Sequence, residues 1–338
     1  MGPGAMAVVS AEGTMLLSRV AESVYWAARY LERAEATARL VHVHTELFLD
    51  LPKAAGLGWA PLLAVTGSGD AFHSHHPRAT EEKVVDFLAA SAHNPGSIVA
   101  SVAQAHANLR VTQAIVPGEA WGVLNQLHQW AAQTRHEAVD RRTRLGWMAE
   151  LISQCQLFSG LLEGTMSHDD TYAFIEIGRG LERADMTTRV LDIQAGTLLA
   201  QRDGTGPFSD LMWMGVLRSL SAHQMFRRIA GPMVSGPGAL RFLLRDQQFP
   251  RSVERCLIEI SRALLELCRH SEPMTGCAQV QQLLEDTDVG SLGDGRASAA
   301  ALHRYADRLQ QGLGHLHGLL VATYFQMEPS TSTVLLRA

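Results

Sequence analysis

Apolar positions recur at three- and four-residue spacing along almost the whole chain, and runs of alternating β-branched or aromatic residues are missing. The pattern predicts an all-α protein, a multi-helix bundle. From Ser18 to Leu51 no Gly or Pro interrupts the period, so one long helix is expected, capped by Ser18 and stopped before Pro52. A Gly-, Pro- and His-bearing stretch follows, read as a loop around a brief helix. Thr80 then opens another helix, with Glu81 and Glu82 in its first turn, where negative charge suits the dipole.

Further helices are expected at about 97–115, 118–135, 143–163, 169–201, 209–229, 237–246 and 251–270. The polar connection "SEPMTGCAQVQQLLEDTDVGSLGDGRAS" should hold only a short helix. A last one runs from about Ala299 to Tyr324, with Ser298 as cap. "QRDGTGPFSD" marks a break near 202–208. Wide apolar faces on both sides need partners, so one domain over 15–327 is expected, built of two repeat-like halves. Residues 1–14 read as a disordered extension or expression remnant, and 328–338 as a tail. Pro3 and Met6 argue against myristoylation of Gly2.

One pattern is written twice. Arg29–Arg39, "RYLERAEATAR", and Arg179–Arg189, "RGLERADMTTR", are identical at seven of eleven positions and stand 179 − 29 = 150 residues apart. On a helical projection Arg29, Glu32 and Arg33 share a strip with Tyr25, Ala36, Leu40, Val43 and Leu47. Arg179, Glu182 and Arg183 are likewise bracketed by Ile175, Met186, Val190 and Ile193. Both helices thus read as buried on two sides, and buried charges are costly unless paired. Glu32 should bridge Arg29 or an Arg on a neighbouring helix. Glu35 with Arg39, and Asp185 with Arg189, have i,i+4 spacing of favourable polarity.

The inner set holds four Arg (29, 33, 179, 183) and two Glu (32, 182), a surplus of 4 − 2 = 2 positive charges. Glu22, Glu163 or Glu176 could answer it within a structural lattice. Alternatively the surplus receives a phosphate, a carboxylate or a partner, for which the Arg fork is suited, with Arg39 and Arg189 as further candidates beside the four. Glu32 and Glu182 are then the weak candidates for acid/base work.

Composition narrows the class. The 338 residues are 46 % hydrophobic and 19 % charged, which fits extensive burial, and the net charge of −5 gives no long-range attraction to nucleic acid or anionic lipid. No apolar run approaches the roughly 18 residues of a membrane span. Cys155, Cys256, Cys268 and Cys277 form no C-x-x-C pair, so reduced thiols in a cytoplasm are expected. Cys155, Cys256 and Cys268 sit in helical patterns and read as packing residues.

Other constellations are weaker. His42 and His44 are i,i+2 on a helix, and His73, His75 and His76 sit in a Gly/Pro loop, so no metal site is expected. "GTMSHDD" reads as a loop in which Ser167 or Asp169 caps the next helix. A nucleophilic triad built on Thr165, Ser167, His168, Asp169 or Asp170 would need residues brought together from elsewhere, and nothing in the sequence indicates which. Arg218 and Arg251 are secondary anion or partner candidates. A surface arginine is the default for each, though Arg251, placed in a first turn, opposes the dipole, which a local anion or an acidic partner would help explain.

"SRVAESVYWAARYLERAEATARL" and "GRGLERADMTTRVLD" resemble the paired Glu-Arg motifs of the alpha-E family of bacterial all-helical domains. "WAPLLAVTG", "NPGSI", "PGEAWGVLN", "EGTMSHDD", "LRSLSAHQMFRR" and "FPRSVERCL" follow in the family's order, from about Met15 to Tyr324. Where the family commonly has Arg-Glu-Asn-x-Arg, this chain reads "HANLR". It keeps Asn108 and Arg110 as candidates but lacks the acid.

The resemblance implies a partnership with a circularly permuted ATP-grasp protein, often with a transglutaminase-like protein. ATP and Mg would belong to that ligase and no cofactor to this chain. The chain has no G-x-x-x-x-G-K-[ST] phosphate loop of its own. A ligase-associated subunit is therefore the first expectation. A stand-alone enzyme for an anionic substrate, or a pure scaffold, are the rivals.

Overall fold

The computed structural model describes residues 11–50, 58–195, 209–289, 292 and 296–326, and among them the chain is helical without a strand. The helices in order are α1 (Ala11–Asp50), α2 (Ala60–Val65), α3 (Gly69–His73), α4 (Glu81–Ala89), α5 (Ile98–Arg110), α6 (Gly118–Gln133), α7 (Arg135–Val139) and α8 (Arg144–Thr165). Then come α9 (Asp170–Val190), α10 (Ser209–Ser219), α11 (His223–Ala230), α12 (Gly236–Arg245), α13 (Val253–Leu265), α14 (Ser271–Glu285) and α15 (Arg296–Leu320). Residues 1–10, the break near 202–208 and the tail from 328 lie outside the described residues.

Helix α1 forms the spine. Free of Gly and Pro from Thr14 onward, it runs 40 residues, about 60 Å at the usual rise, and packs against α5, α8 and α9. It begins at Ala11, so Ala11–Thr14 belong to the helix and Ser18 is an interior position, not its cap. Helix α9 lies between α1 and α13, and 14 of its 21 residues are buried. Two such contacts demand small residues. A Cβ on Gly178 would stand 2.5 Å from the Tyr25 carbonyl oxygen, and one on Gly180 would stand 2.9 Å from Ile260 Cγ1. These glycines let three helix backbones approach.

Several boundaries differ from the periodic reading. The helix expected over 97–115 stops at Arg110, and a 3₁₀ turn (Gln113–Ile115) follows. That expected over 209–229 breaks into α10 and α11 at Ser221, which takes a left-handed φ of 57°. Ser252 caps α13 by accepting from Arg255 N at 3.1 Å, so Arg251 lies outside the helix and its dipole conflict does not arise. The segment expected to hold a short helix forms the 15-residue α14. Its Pro273 falls in the first turn, where no N–H is needed, and Cys277, Val280 and Leu284 make a buried stripe. Helix α15 starts at Arg296, ahead of the expected Ser298 cap. Both α9 and α15 end in a π turn, Leu191–Ala195 and Val321–Phe325.

Candidate functional site

The two copies of the motif face each other across the α1–α9 contact. Tyr25 lies against Gly178 and Arg33 against Glu182, so the pairing advances in the same direction along both helices. Glu182, 1 % exposed, accepts Arg33 Nε at 2.6 Å on Oε1, and Arg29 Nε at 2.8 Å with Arg33 Nη2 at 3.0 Å on Oε2. Reciprocally, Arg183 Nε donates to Glu32 Oε2 at 2.9 Å. Each carboxylate is therefore held by arginine from the other copy, the neighbouring-helix alternative and not the i,i+3 one.

The symmetry stops at one position. By the 150-residue offset, Arg179 should do for Glu32 what Arg29 does for Glu182. Arg251, from the segment before α13, takes that place: it donates to Glu32 Oε1 and, at 2.7 Å, to Glu35 Oε1. Arg251 is thus a buried clasp residue, its side chain 11 % exposed, and not the surface arginine that was the default reading. Glu35 also holds Arg39 at 2.6 Å, and Asp185 holds Arg189 at 2.8 Å, both the expected i,i+4 pairs.

Displaced Arg179 pairs instead with Glu176 on its own helix. The aligned residue of the first copy is Trp26, whose ring covers Arg29 at 5.1 Å. Of the other acids considered for the surplus, Glu22 is exposed, and neither it nor Glu163 has an ion pair among the described residues.

Electrostatics follow from this wiring. Burial would raise the Glu32 carboxyl, but Arg183 and Arg251, with Arg179 nearby, pull it down to about 2. Burial opposes ionisation of Glu182 too, and Arg29 and Arg33 overcome it, holding the group below the usual carboxylate range. Arg179 behaves oppositely: burial and then repulsion from Arg183 lower its pKa, so its charge is incompletely balanced. Counting Arg29, Arg33, Arg39, Arg179, Arg183 and Arg251 against Glu32, Glu35, Glu176 and Glu182 leaves 6 − 4 = 2 positive charges. The surplus read from the sequence is still there.

On the far side of Arg29 the network continues. Arg29 Nη1 donates to Tyr25 Oη at 3.3 Å, and Tyr25 Oη lies 2.7 Å from His317 Nδ1. Burial, then Arg29, lowers His317 to about 4, which favours the neutral ring beside the Tyr25 hydroxyl. Burial pushes Tyr25 up to about 12.

The remaining candidates stand apart from this lattice. Asn108 donates to the Gln104 carbonyl of its own helix at 2.8 Å, and Arg110 is exposed at the end of α5. Arg218 pairs with Glu46 at 2.7 Å, and His42 lies 3.6 Å from the same carboxylate. His75 stacks on His93, and His44 packs on Trp59. A group not foreseen, Asp192, His303 and Asp307, brings possible ligand atoms within 4.8 Å of one another. Its His303 Nδ1 already bonds Asp192 at 2.7 Å. Asp169 caps α9 by accepting from Thr171 N and Tyr172 N. Cys155 and Cys256 are buried with raised pKa values, so neither is an activated thiol.

The periodic reading also missed a cleft of about 590 Å³ beside the lattice, floored by Arg179 and Arg183 and walled by α9, α13 and the turn before α9. His168 and Tyr172 stack there with ring centres 4.0 Å apart. Its signal in the sequence was the departure from the repeat at Glu176.

An all-α bundle clasped by two reciprocal Glu-Arg motifs defines the class. The alpha-E family, a predicted alpha-helical domain with a conserved ER motif, matches residues 16–325, and the chain belongs to it. No curated protein and no solved structure matches. Among the described residues no helix is long and apolar enough to cross a membrane.

Proposed function

We propose that this chain is a non-catalytic or co-catalytic helical partner of an ATP-grasp-type amide ligase, placed in a cytoplasm, whose Arg/Glu lattice sets the bundle's register and presents an anion site. ATP and Mg belong to the ligase in this reading, and a transglutaminase-like protein is a further associate. The partnership rests on what family membership implies about association.

The observation that carries the non-autonomous part is the state of the motif carboxylates. Glu32 and Glu182 are buried, each oxygen already accepts from a guanidinium, and both groups are held ionised. A general acid or base needs an accessible site and a pKa near the working pH. These two have neither, which weighs against a stand-alone enzyme built on them. A buried ionic lattice is instead suited to fixing which helix faces meet, since misregistered charges would be left unpaired.

The test is to purify the chain with and without the neighbouring ATP-grasp protein and follow complex formation and ATP-dependent ligation of amino acids or peptides. A complex with enhanced or redirected ligation is expected. No complex and unchanged ligation would sink the partnership. Turnover by this chain alone that Glu32→Gln abolishes would favour the enzyme, and stability loss in Arg29→Met with ligation intact would favour a scaffold.

A further inference from the structure

The cleft beside the lattice is where the surplus charge becomes available. Arg183 spends only Nε on Glu32, and its two terminal nitrogens have no protein partner among the described residues. Arg179 spends Nη2 on Glu176, which leaves Nε and Nη1. The two side chains are 20 % and 12 % exposed, and they stand one helical turn apart on the same floor. Planar, desolvated guanidiniums with unspent N–H groups match a planar carboxylate. The cleft thus pairs such donors with an open cavity of ligand size.

The walls decide what kind of anion fits. Four guanidiniums line the cleft, those of Arg179, Arg183, Arg255 and Arg262. Five carboxylates face them, from Glu163, Asp169, Glu176, Glu259 and Glu266. The formal sum, 4 − 5 = −1, disfavours a polyanion such as a nucleotide or doubly charged phosphate, which would meet uncompensated acids around the floor. Glu259 is engaged by Arg255 and Arg262, and Glu176 by Arg179, whereas Glu163 and Glu266 are exposed with no ion pair among the described residues. Glu163 is near enough to act electrostatically on Arg179. An anion site beside free carboxylates suits a ligand carrying both signs, and Tyr172, Ala173, Pro250 and Ala263 also line the cleft.

We infer that this cleft binds a zwitterionic amino acid or short peptide, its carboxylate on Arg179 and Arg183 and its ammonium group at Glu163 and Glu266. The site exists because Arg251 took Arg179's place in the lattice, so the second copy of the motif holds the fold with one arginine and reserves the other. The inference rests on the anion-site part of the proposed function and not on the ligase partnership.

The experiment titrates the full chain alone with L-alanyl-L-alanine, its N-acetyl and C-amide derivatives, and inorganic phosphate, following amide NMR shifts around Tyr172 and Ala263. Saturable binding of the free dipeptide is expected, with each blocked form weaker by about tenfold or more, the scale of one lost charge-assisted bond. Arg179→Gln should weaken the dipeptide and the N-acetyl form alike. Glu163→Gln, at an exposed side chain that anchors nothing, should weaken the dipeptide but leave the N-acetyl form unchanged. The inference is overturned if the dipeptide gives no saturable change at on the order of 10 mM, if phosphate binds more tightly than the dipeptide, or if both variants bind like the parent. Because no ligase is present, a negative result leaves the partnership standing, and failure of the complex leaves this site standing.

Discussion

Replacing Arg251 and Arg179 one at a time by Met separates two fates of a buried guanidinium. Their side chains are almost equally hidden, 11 % and 12 % exposed, so solvent-accessibility arguments predict similar losses. The wiring predicts otherwise. Arg251 donates to Glu32 and Glu35, both 3 % exposed, and Met would leave Glu32 with Arg183 and Glu35 with Arg39 and a long bond from Gln156. Breaking a buried pair costs about 3–5 kcal/mol, and the remaining partners set the loss near the lower end, about 3 kcal/mol. Arg179 answers only Glu176, which at 21 % exposure water can reach, and its own charge is desolvated and repelled by Arg183. Arg179→Met should change stability by about 1 kcal/mol or less, in either direction. Urea unfolding followed by far-UV circular dichroism reads the difference. With a slope of about 3 kcal/mol per M, the Arg251 midpoint falls by about 1 M and the Arg179 midpoint by no more than about 0.3 M. Equal midpoints in the two variants would refute the claim that Arg251 displaced Arg179 from the lattice.

Acid should dismantle the clasp in a definite window. Glu32 is depressed from 4.5 to about 2, so its contribution is fully present above the unfolded value and is lost as pH falls from about 4.5 through about 2. The shift corresponds to about 3 kcal/mol, and Glu32→Gln should flatten that limb of the stability curve in urea midpoints measured against pH. Gly178→Ala would drive a methyl against the Tyr25 backbone and separate α1 from α9. It should cost at least about 3 kcal/mol in urea unfolding, whereas Gly180→Ala meets the rotatable Ile260 side chain and should cost about half as much. Of the four cysteines, Cys268 is exposed and the others are buried, so a thiol reagent should titrate one group in the native protein and four in urea.

The sequence by itself determined the class of the fold. Helical periodicity, uninterrupted through α1 and α9, forced long helices, and Arg and Glu inside apolar stripes forced buried ion pairs, because a lone buried charge costs too much. Boundaries were less legible. Ser221 ends a helix through a backbone conformation that periodicity does not encode, and α14 is held by a narrow stripe packed on α15 within a segment rich in polar residues.

Only the tertiary structure decided the partners. Glu32 could have met Arg29 on its own helix, and the contact of α1 with α9 gave it Arg183 instead. Arg251, 219 residues from Glu32, entered the lattice because α13 packs on α9, which no local pattern could announce. That long-range substitution explains why two near-identical motifs ended with different duties. One arginine was made redundant for the fold and left facing a cleft, since the number of guanidiniums a buried carboxylate can accept is limited by its lone pairs and by the helices that reach it.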